Sequence, residues 1–430
     1  MRTLPVPTIL ALIGASAAIS AVEVAPAGQQ LTASPAASLV PDAPTSQPVN
    51  VAGLAILPAG NLGSADGKAK INLKALVSGS YDSNVYASET DEKDDVYLRL
   101  YAGIEATYRL DDRIGFGAEV TADSQVFNEY TDRNLFGGQA KVRGAYKGET
   151  TAGNVTLDYA LVDDPQLQTG ERLKRSSYGG NTLWLRQALT GGILVNADAH
   201  RQEYLEDQGS FVAEDRNVNN YSGGVRYIHM QNERSSVWAR VGLAADQYDT
   251  NNSFQDASSV SGAIGADLGF GDRATVSLEV GVDARSYSDE FAAGYDDEDV
   301  VAPTASVSLF YPVSERGTLI TVRAFSDARN SVRSNALQAT GAIIEAGHAL
   351  SEQLITNASI SGLRLTDYGS AVGQDASERD LVGASVSALY KLKDGLVLRA
   401  IARATHAEAK LASEADYTRF EGVIETAFAF

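Results

Sequence analysis

Charged side chains occupy alternate positions in several segments of this chain. In TVSLEVGVDAR, Glu279, Asp283 and Arg285 alternate with valines and leucine. Side chains alternate across a β-strand, so such a segment predicts one charged face and one apolar face. If the charged face lines a channel, rings of Arg and Lys could select anions. The basic residues predicted on this inner face are Lys74, Arg99, Arg109, Lys141, Arg143, Arg186, Arg226, Arg240, Arg285, Arg323, Arg399 and Arg403.

Carboxylates are predicted on the same inner face, which leaves two hypotheses open. One is a basic constriction that selects anionic solutes. The other is an ion-paired wall that keeps the interior rigid and wet. Trp184 and Trp238 are also predicted to point inward, either to stack against sugar rings or to fill gaps. The predicted inward carboxylates are Glu105, Glu119, Asp158, Asp198, Asp246, Asp267, Glu279, Asp283, Asp327, Glu421 and Glu425.

Catalytic chemistry has little support in the sequence. The four histidines lie in different segments and lack a metal-binding spacing such as H-x-x-x-H. Asp198 and His200 could orient one another, but a hydrolase also needs a nucleophile beside them, and the sequence indicates none. The chain has no cysteine, which excludes thiol nucleophiles and disulfides. We therefore expect no enzyme activity and no cofactor.

Hard-cation binding has two weak candidate stretches, ETDEKDD, which is considered below, and YDDED. The carboxylates of YDDED are close in sequence, although they lack the glycine and the ligand spacing of a dedicated calcium loop. The candidate ligands are Asp296, Asp297, Glu298 and Asp299.

The elements that must position these residues are strands. Residues 68–430 contain eighteen alternating segments, joined by short turns and mostly longer polar loops in alternation. This pattern is typical of an all-β, antiparallel, up-and-down transmembrane β-barrel. A count of 16 or 20 stays open, because the segments near residues 342 and 361 alternate poorly. A soluble β-sandwich is disfavoured, because the segments are longer than the usual globular strand of about 5–6 residues.

The chain is predicted to have three parts. Residues 1–21 form a signal peptide with an apolar core, cleaved after Ala18, Ala21 or Ala25. Residues 22–67 form a flexible Pro/Ala/Ser-rich tail, which is too short and too Pro-rich for the folded plug of a TonB-type receptor. Residues 68–430 form the barrel. An even number of strands places the tail and the C-terminus on the same side, predicted to be periplasmic.

Net charge and the C-terminal residues indicate the partners. A net charge of −20 argues against nucleic acid, which needs a basic surface. The final residues resemble the C-terminal signal by which bacterial outer-membrane proteins are recognised for barrel assembly. The resemblance implies a bacterial outer-membrane location, with the lipid bilayer, lipopolysaccharide and the assembly machinery as partners. The residues that carry it are Phe420, Ile424, Phe428 and Phe430.

The stretch YDSNVYAS, which follows the first predicted strand, resembles a second family. Outer-membrane β-barrel porins whose genes often lie beside exopolysaccharide genes commonly carry such a YDSN stretch. The resemblance implies a barrel that conducts a secreted polysaccharide, and it supplies no catalytic residues. The acidic run ETDEKDD behind it is either a solvated loop or a site where divalent cations bridge to lipopolysaccharide phosphates.

Three functions therefore remain open. The first is a porin-like channel, for small solutes or for an anionic or neutral polysaccharide. The second is a structural or surface-interaction barrel with acidic extracellular loops. The third, a weaker alternative, is an outer-membrane enzyme.

Overall fold

The structure of the chain is a computed structural model. It describes residues 68–85, 92–131, 134–165, 172–188, 190–205, 217–232, 234–249, 256–270, 274–288, 299–313, 317–329, 336–368, 378–393, 395–410 and 416–429, together with the short strands Asn50–Val51, Leu54–Ala55 and Leu62–Gly63. The predicted signal peptide, most of the predicted tail and Phe430 lie outside the described residues.

Eighteen long strands form one closed sheet. Their bounds are β1 Ala69–Asp82, β2 Asp95–Arg109, β3 Ile114–Phe127, β4 Leu135–Lys147, β5 Thr151–Pro165, β6 Arg172–Ala188, β7 Gly191–Tyr204, β8 Val218–Asn232, β9 Ser235–Tyr248, β10 Ala257–Phe270, β11 Ala274–Tyr287, β12 Val300–Pro312, β13 Thr318–Arg329, β14 Ala336–Ala349, β15 Leu354–Tyr368, β16 Glu378–Lys393, β17 Leu396–Ala409 and β18 Tyr417–Ala429. Among the described residues, no helix has the length and apolarity that crossing a membrane would require.

Each strand pairs antiparallel with its neighbours in sequence, and β18 pairs with β1 to close the barrel. This closing ladder runs from Glu421 opposite Asp82 to Ala429 opposite Lys74. Short connections, such as residues 110–113, alternate with longer ones, such as residues 83–94. We call the two rims the short-turn end and the long-loop end. The predicted fold class and the count of eighteen strands are confirmed.

Alternation separates an apolar outer face from a polar inner face. On β2, the side chains of Val96 and Leu98 are 55% and 45% exposed, whereas Tyr97 between them is 5% exposed. A closed ladder leaves no backbone edge along most of the wall, so an apolar outer band can face lipid. The architecture is therefore that of a membrane-spanning barrel.

The segments that form β14 and β15 alternate poorly in sequence because both of their faces carry apolar residues. Their inward positions carry Leu337, Ile343, Leu363 and Leu365 instead of charged residues, and all four are buried. Because the outward positions include apolar residues as well, such as Ile360, both faces look alike in sequence. The strands exist where they were predicted, and the weak pattern reflects an apolar sector of the inner wall.

Two predicted inward residues on β6 face outward. Trp184 pairs with Val195 and is 48% exposed, and Arg186 pairs with the exposed Ile193. Directly opposed residues of an antiparallel pair share a face, so Trp184 and Arg186 lie on the outer face with Val195 and Ile193. The prediction that they line the interior is wrong, because the alternation of β6 was assigned one residue out of register. Trp238 does face inward and is 7% exposed.

The two tryptophans therefore report opposite faces. We expect phospholipids with brominated acyl chains to quench the fluorescence of Trp184 strongly and that of Trp238 weakly, since bromine quenches only near the lipid chains. The measurement uses the Trp238→Phe variant to isolate Trp184 and the Trp184→Phe variant to isolate Trp238, each in bilayers with and without bromine. Equal quenching of both residues would contradict this assignment of faces.

Candidate functional site on the inner wall

The predicted inner-wall cations are mostly ion-paired. Arg99 Nε lies 2.9 Å from Asp123 Oδ1, and Arg403 Nη1 lies 2.7 Å from Glu421 Oε2. The same arrangement joins further pairs along the wall, so cations and carboxylates neutralise one another locally. The further pairs are Arg143 with Glu105 at 2.7 Å, Arg285 with Asp283 at 3.0 Å, Lys74 with Glu105 and Glu119 at 3.5 and 3.6 Å, Arg240 with Glu279, and Arg399 with Glu425.

The other predicted cations have different surroundings. Arg109 lies at the short-turn end and pairs with Asp112 of the adjacent turn. Lys141 faces inward opposite Glu119 in the ladder. The guanidinium of Arg226 lies 4.2 Å from the ring centroid of Trp238, and that of Arg323 lies 5.4 Å from the ring of Phe325. Both distances fit a cation–π contact.

His200 is held between two carboxylates. Its Nδ1 lies 2.7 Å from Asp198 Oδ1, as the sequence suggested, and its Nε2 lies 3.1 Å from Asp158 Oδ1 on β5. The ring crosses β6 at Gly179, where an added Cβ would lie 2.7 Å from His200 Cδ2. Since both ring nitrogens contact carboxylates, neither is available to activate a hydroxyl nucleophile. This arrangement favours a structural role over catalysis.

The YDSN segment bonds to β18 at the closing seam, which is the ladder between β1 and β18. Asp82 forms a bidentate ion pair with Arg419 of β18, with Arg419 Nε 2.9 Å from Asp82 Oδ1. Asn84 donates to Asp82 through its backbone N–H at 3.0 Å and to the Thr418 carbonyl through its side chain at 3.2 Å. Phe420 donates its N–H to Ser83 Oγ at 2.8 Å. These contacts hold the long-loop ends of β1 and β18 together.

Further side-chain contacts lie beside this seam on the inner face of the barrel. Tyr97 donates to Glu421, which also binds Arg403, so β2, β17 and β18 share one carboxylate. Sequence reasoning missed Arg419 and Asp82 as a pair, because they lie at opposite ends of the barrel sequence. One signal was present, since Arg419 lies on the same face of β18 as Glu421 and Glu425.

The assembly and metal candidates are only partly described. Phe420 and Ile424 are exposed on the outer face, and Phe428 shares that face. The candidate ligands Asp296, Asp297 and Glu298 lie outside the described residues, and Asp299 is exposed. Within the described ranges, no three His, Asp or Glu side chains come together in a way that could hold a metal ion.

The chain is similar in fold to solved outer-membrane proteins. OccK2 (OpdF) of Pseudomonas aeruginosa in complex with glucuronate aligns over 84% of this chain and 98% of its own, with a TM-score of 0.51 and 11% identity. OccK1 (OpdK) of the same organism aligns over 84% and 99%, with a TM-score of 0.49 and 10% identity. At such low identity, the similarity to OccK2 shows the fold alone. No protein-family model and no curated protein sequence matches the chain.

Gly179 should be indispensable to the His200 arrangement. We expect Gly179→Ala to lower the free energy of unfolding by about 1–3 kcal/mol, because the new methyl group would overlap the Ala199 carbonyl and the His200 ring. The measurement is urea unfolding in lipid vesicles. Gly422→Ala is the matched control, since nothing lies within 4 Å of its added Cβ. Equal stability of the two variants would contradict the packing described here.

The Asp82–Arg419 pair should matter far more than an exposed pair of the same type. Asp82 and Arg419 are buried, so Asp82→Ala removes both hydrogen bonds of a buried, bidentate ion pair and should cost about 3–5 kcal/mol. The control is Asp112→Ala, which removes an exposed partner of Arg109 and should cost at most about 1 kcal/mol. Unfolding in urea, followed by gel migration of the folded barrel, measures both. A loss as small as that of the control would refute the fastening role.

Proposed function

We propose that this barrel is a channel for small polar solutes in a bacterial outer membrane. The observation that carries the proposal is the contrast between its two faces, an apolar outer band and an inner wall of paired charges. An eighteen-strand barrel encloses a lumen wider than wall side chains fill, which favours a water-filled path. The short-turn end, where β1 begins and β18 ends, would face the periplasm, since bacterial barrels have short periplasmic turns.

Paired charges favour the ion-paired wall over the basic constriction. A cation that already contacts a carboxylate presents little net field to a passing ion. We therefore infer weak charge selectivity and a preference for small hydrophilic solutes. Glucuronate, which the OccK2 structure contains, is a suitable first probe, because it combines hydroxyl groups with one carboxylate.

Single-channel recording in planar bilayers tests this function. We expect steady conductance from the folded protein with weak ion preference. Arg399→Gln should shift the preference toward cations, because it frees Glu425, and Glu425→Gln should shift it toward anions by a similar amount. Arg186→Gln is the control, since that arginine lies on the outer face.

Two results would contradict the proposal. An absence of conductance from protein shown to be folded would exclude an open channel. If Glu425→Gln left the ion preference unchanged while Arg399→Gln altered it, the arginine would act alone and the basic constriction would replace the paired wall.

The polysaccharide conduit is a narrower hypothesis, and it rests on the YDSN resemblance. In the barrel, those residues bond to β18, a role that closes the seam and requires no polysaccharide. The binding of lipopolysaccharide and of the assembly machinery remains a proposal. It is supported by outward charges at the long-loop end, such as Arg364 with Asp380, and by the outward Phe420 and Ile424.

A further inference from the structure

A band of small polar side chains crosses the inner wall of β15 and β16. Its members occupy alternate positions, and the residues between them, such as Ile360 and Val386, are exposed on the outer face. Because side chains alternate across a strand, the members of the band face the lumen. We call these residues the polar band. They are Asn357, Ser359 and Ser361 of β15 and Ser385 and Ser387 of β16.

Larger apolar side chains border the polar band toward both ends of the barrel. Leu363 and Leu381 lie toward the long-loop end, and Ile355 and Leu389 lie toward the short-turn end. These four side chains are buried, whereas Ser385 in the band is partly exposed. Because serine is smaller than leucine and isoleucine, the band forms a shallow polar recess between two apolar borders.

The polar band offers both donors and acceptors of hydrogen bonds. Ser359 Oγ and Ser385 Oγ lie 2.7 Å apart, and Asn357 Nδ2 lies 3.5 Å from Ser387 Oγ. Only one proton lies between the oxygens of two paired hydroxyls, so the accepting serine keeps its own proton for another partner. Hydroxyl oxygens also carry two lone pairs each. A polyol can therefore exchange hydrogen bonds with the band.

Glu345 of β14 adjoins the polar band and carries an unpaired carboxylate. It lies directly opposite Ser359 in one ladder and opposite Thr321 in the other, so it faces the lumen, where it is exposed. Within the described residues, no hydrogen bond or ion pair reaches its carboxylate. Inward carboxylates elsewhere on the wall have partners, as in Glu279 with Arg240.

The inward arginine of the neighbouring strand does not neutralise Glu345. Arg323 of β13 lies opposite Ile343, one inward position from Glu345 toward the long-loop end. Its guanidinium lies 5.4 Å from the ring centroid of Phe325, which is one inward position further in the same direction. The arginine side chain therefore points away from Glu345. The wall of paired charges has an uncompensated negative charge at this place.

The ligand set favours an organic ammonium group over a metal ion. Hard cations take about six to eight oxygen ligands. In the part of the chain that the structure describes, no three His, Asp or Glu side chains come together as such ligands. An ammonium group donates up to three hydrogen bonds and is satisfied by one carboxylate with neutral oxygens beside it. Glu345 has such oxygens in Ser359 and Thr321, its two ladder partners.

We propose that Glu345 and the polar band form a binding subsite for polyols that carry an ammonium group. The carboxylate binds the ammonium group, and the band binds the hydroxyl groups. From Asn357 to Ser361 the band extends about 14 Å along β15, which is long enough for a six-carbon chain. The inference names the solute class of the proposed channel and rests on that function, because solutes reach the subsite through the lumen.

Calorimetric titration of the full-length protein in lipid nanodiscs tests the subsite, since nanodiscs leave both ends of the barrel open to solvent. The probes are glucamine, sorbitol and gluconate, which share a six-carbon polyol chain and are cationic, neutral and anionic at neutral pH. In buffer of low ionic strength, we expect glucamine to bind at least about tenfold more tightly than sorbitol, the effect of one hydrogen bond to a charged group. Gluconate should bind most weakly.

Two substitutions at Glu345 separate charge from shape. Glu345→Gln should lower the affinity for glucamine at least about tenfold and leave that for sorbitol unchanged, because it removes the charge and keeps the size. Glu345→Lys should reverse the order of glucamine and gluconate. The matched control is Glu352→Gln, which makes the same change of charge at an exposed position of the turn after β14 and should alter neither affinity.

A substitution in the polar band tests its contribution. Ser385→Leu fills the recess and should weaken the binding of glucamine and sorbitol alike. If this variant does not fold, Ser385→Ala removes the hydroxyl without adding bulk and should weaken both in the same direction.

Any of three outcomes overturns the subsite. The first is equal affinity of the unaltered protein for glucamine and sorbitol. The second is an unchanged affinity for glucamine in Glu345→Gln. The third is an equal loss in the Glu352→Gln control, which would show an effect of net charge alone. Conductance is recorded separately, so a channel without the glucamine preference and a binding barrel without conductance are distinguishable failures.

Discussion

Backbone hydrogen bonding in a medium without water is the constraint on which the rest of this structure depends. An unpaired N–H or C=O in hydrocarbon costs several kcal/mol, so the sheet must close on itself. Closure brings the first strand to the last, and nothing local in the sequence specifies that pairing. The Asp82–Arg419 pair and the bonds of Ser83 and Asn84 add side-chain specificity at this seam. These contacts help to fix the register of β1 against β18, two strands that no connecting turn joins.

Charge on the inner wall follows from the same closure. A side chain that does not face lipid faces a confined interior, where an isolated charge is costly. Arginine and carboxylate therefore meet across neighbouring strands, as in Arg99 with Asp123 and Arg403 with Glu421. His200 extends this rule across three strands, because Gly179 leaves room for its ring over the strand between the two carboxylates. Pairing makes the wall polar without giving it a strong field of one sign.

Sequence reasoning predicted the barrel because alternation and turn spacing are local properties. It placed Arg99, Arg399 and Trp238 on the inner face for the same reason. It misplaced Trp184 and Arg186, since a one-residue error of register reverses every side chain of a strand. The ion-pair partner of a given side chain could not be predicted from the sequence. Asp158 on β5 contacts His200 on β7 across β6, and this contact depends on the register of all three strands. In the sequence, the apolar inner face of β14 and β15 was visible only as weak alternation near residues 342 and 361.

The ladder of backbone hydrogen bonds between β12 and β13 ends at Ala305 opposite Ser326, before the described ends of both strands. At the seam, where the ladder joins the two ends of the chain, buried ion pairs reinforce it. At the long-loop end of β12 and β13, hydrogen bonds from Gln338 to the Pro303 carbonyl and from Arg285 to the Ala328 carbonyl replace the ladder, and Gln338 Oε1 accepts no hydrogen bond within the described residues. Separation of β1 from β18 would open the barrel along its whole length, so that pair of strands needs strong contacts. A pair such as β12 and β13, which a ladder still joins over most of its length, can tolerate weaker contacts at one end. Buried ion pairs at the β1–β18 ladder and side-chain hydrogen bonds to backbone carbonyls of β12 and β13 are therefore two different means by which side chains complete the closed sheet.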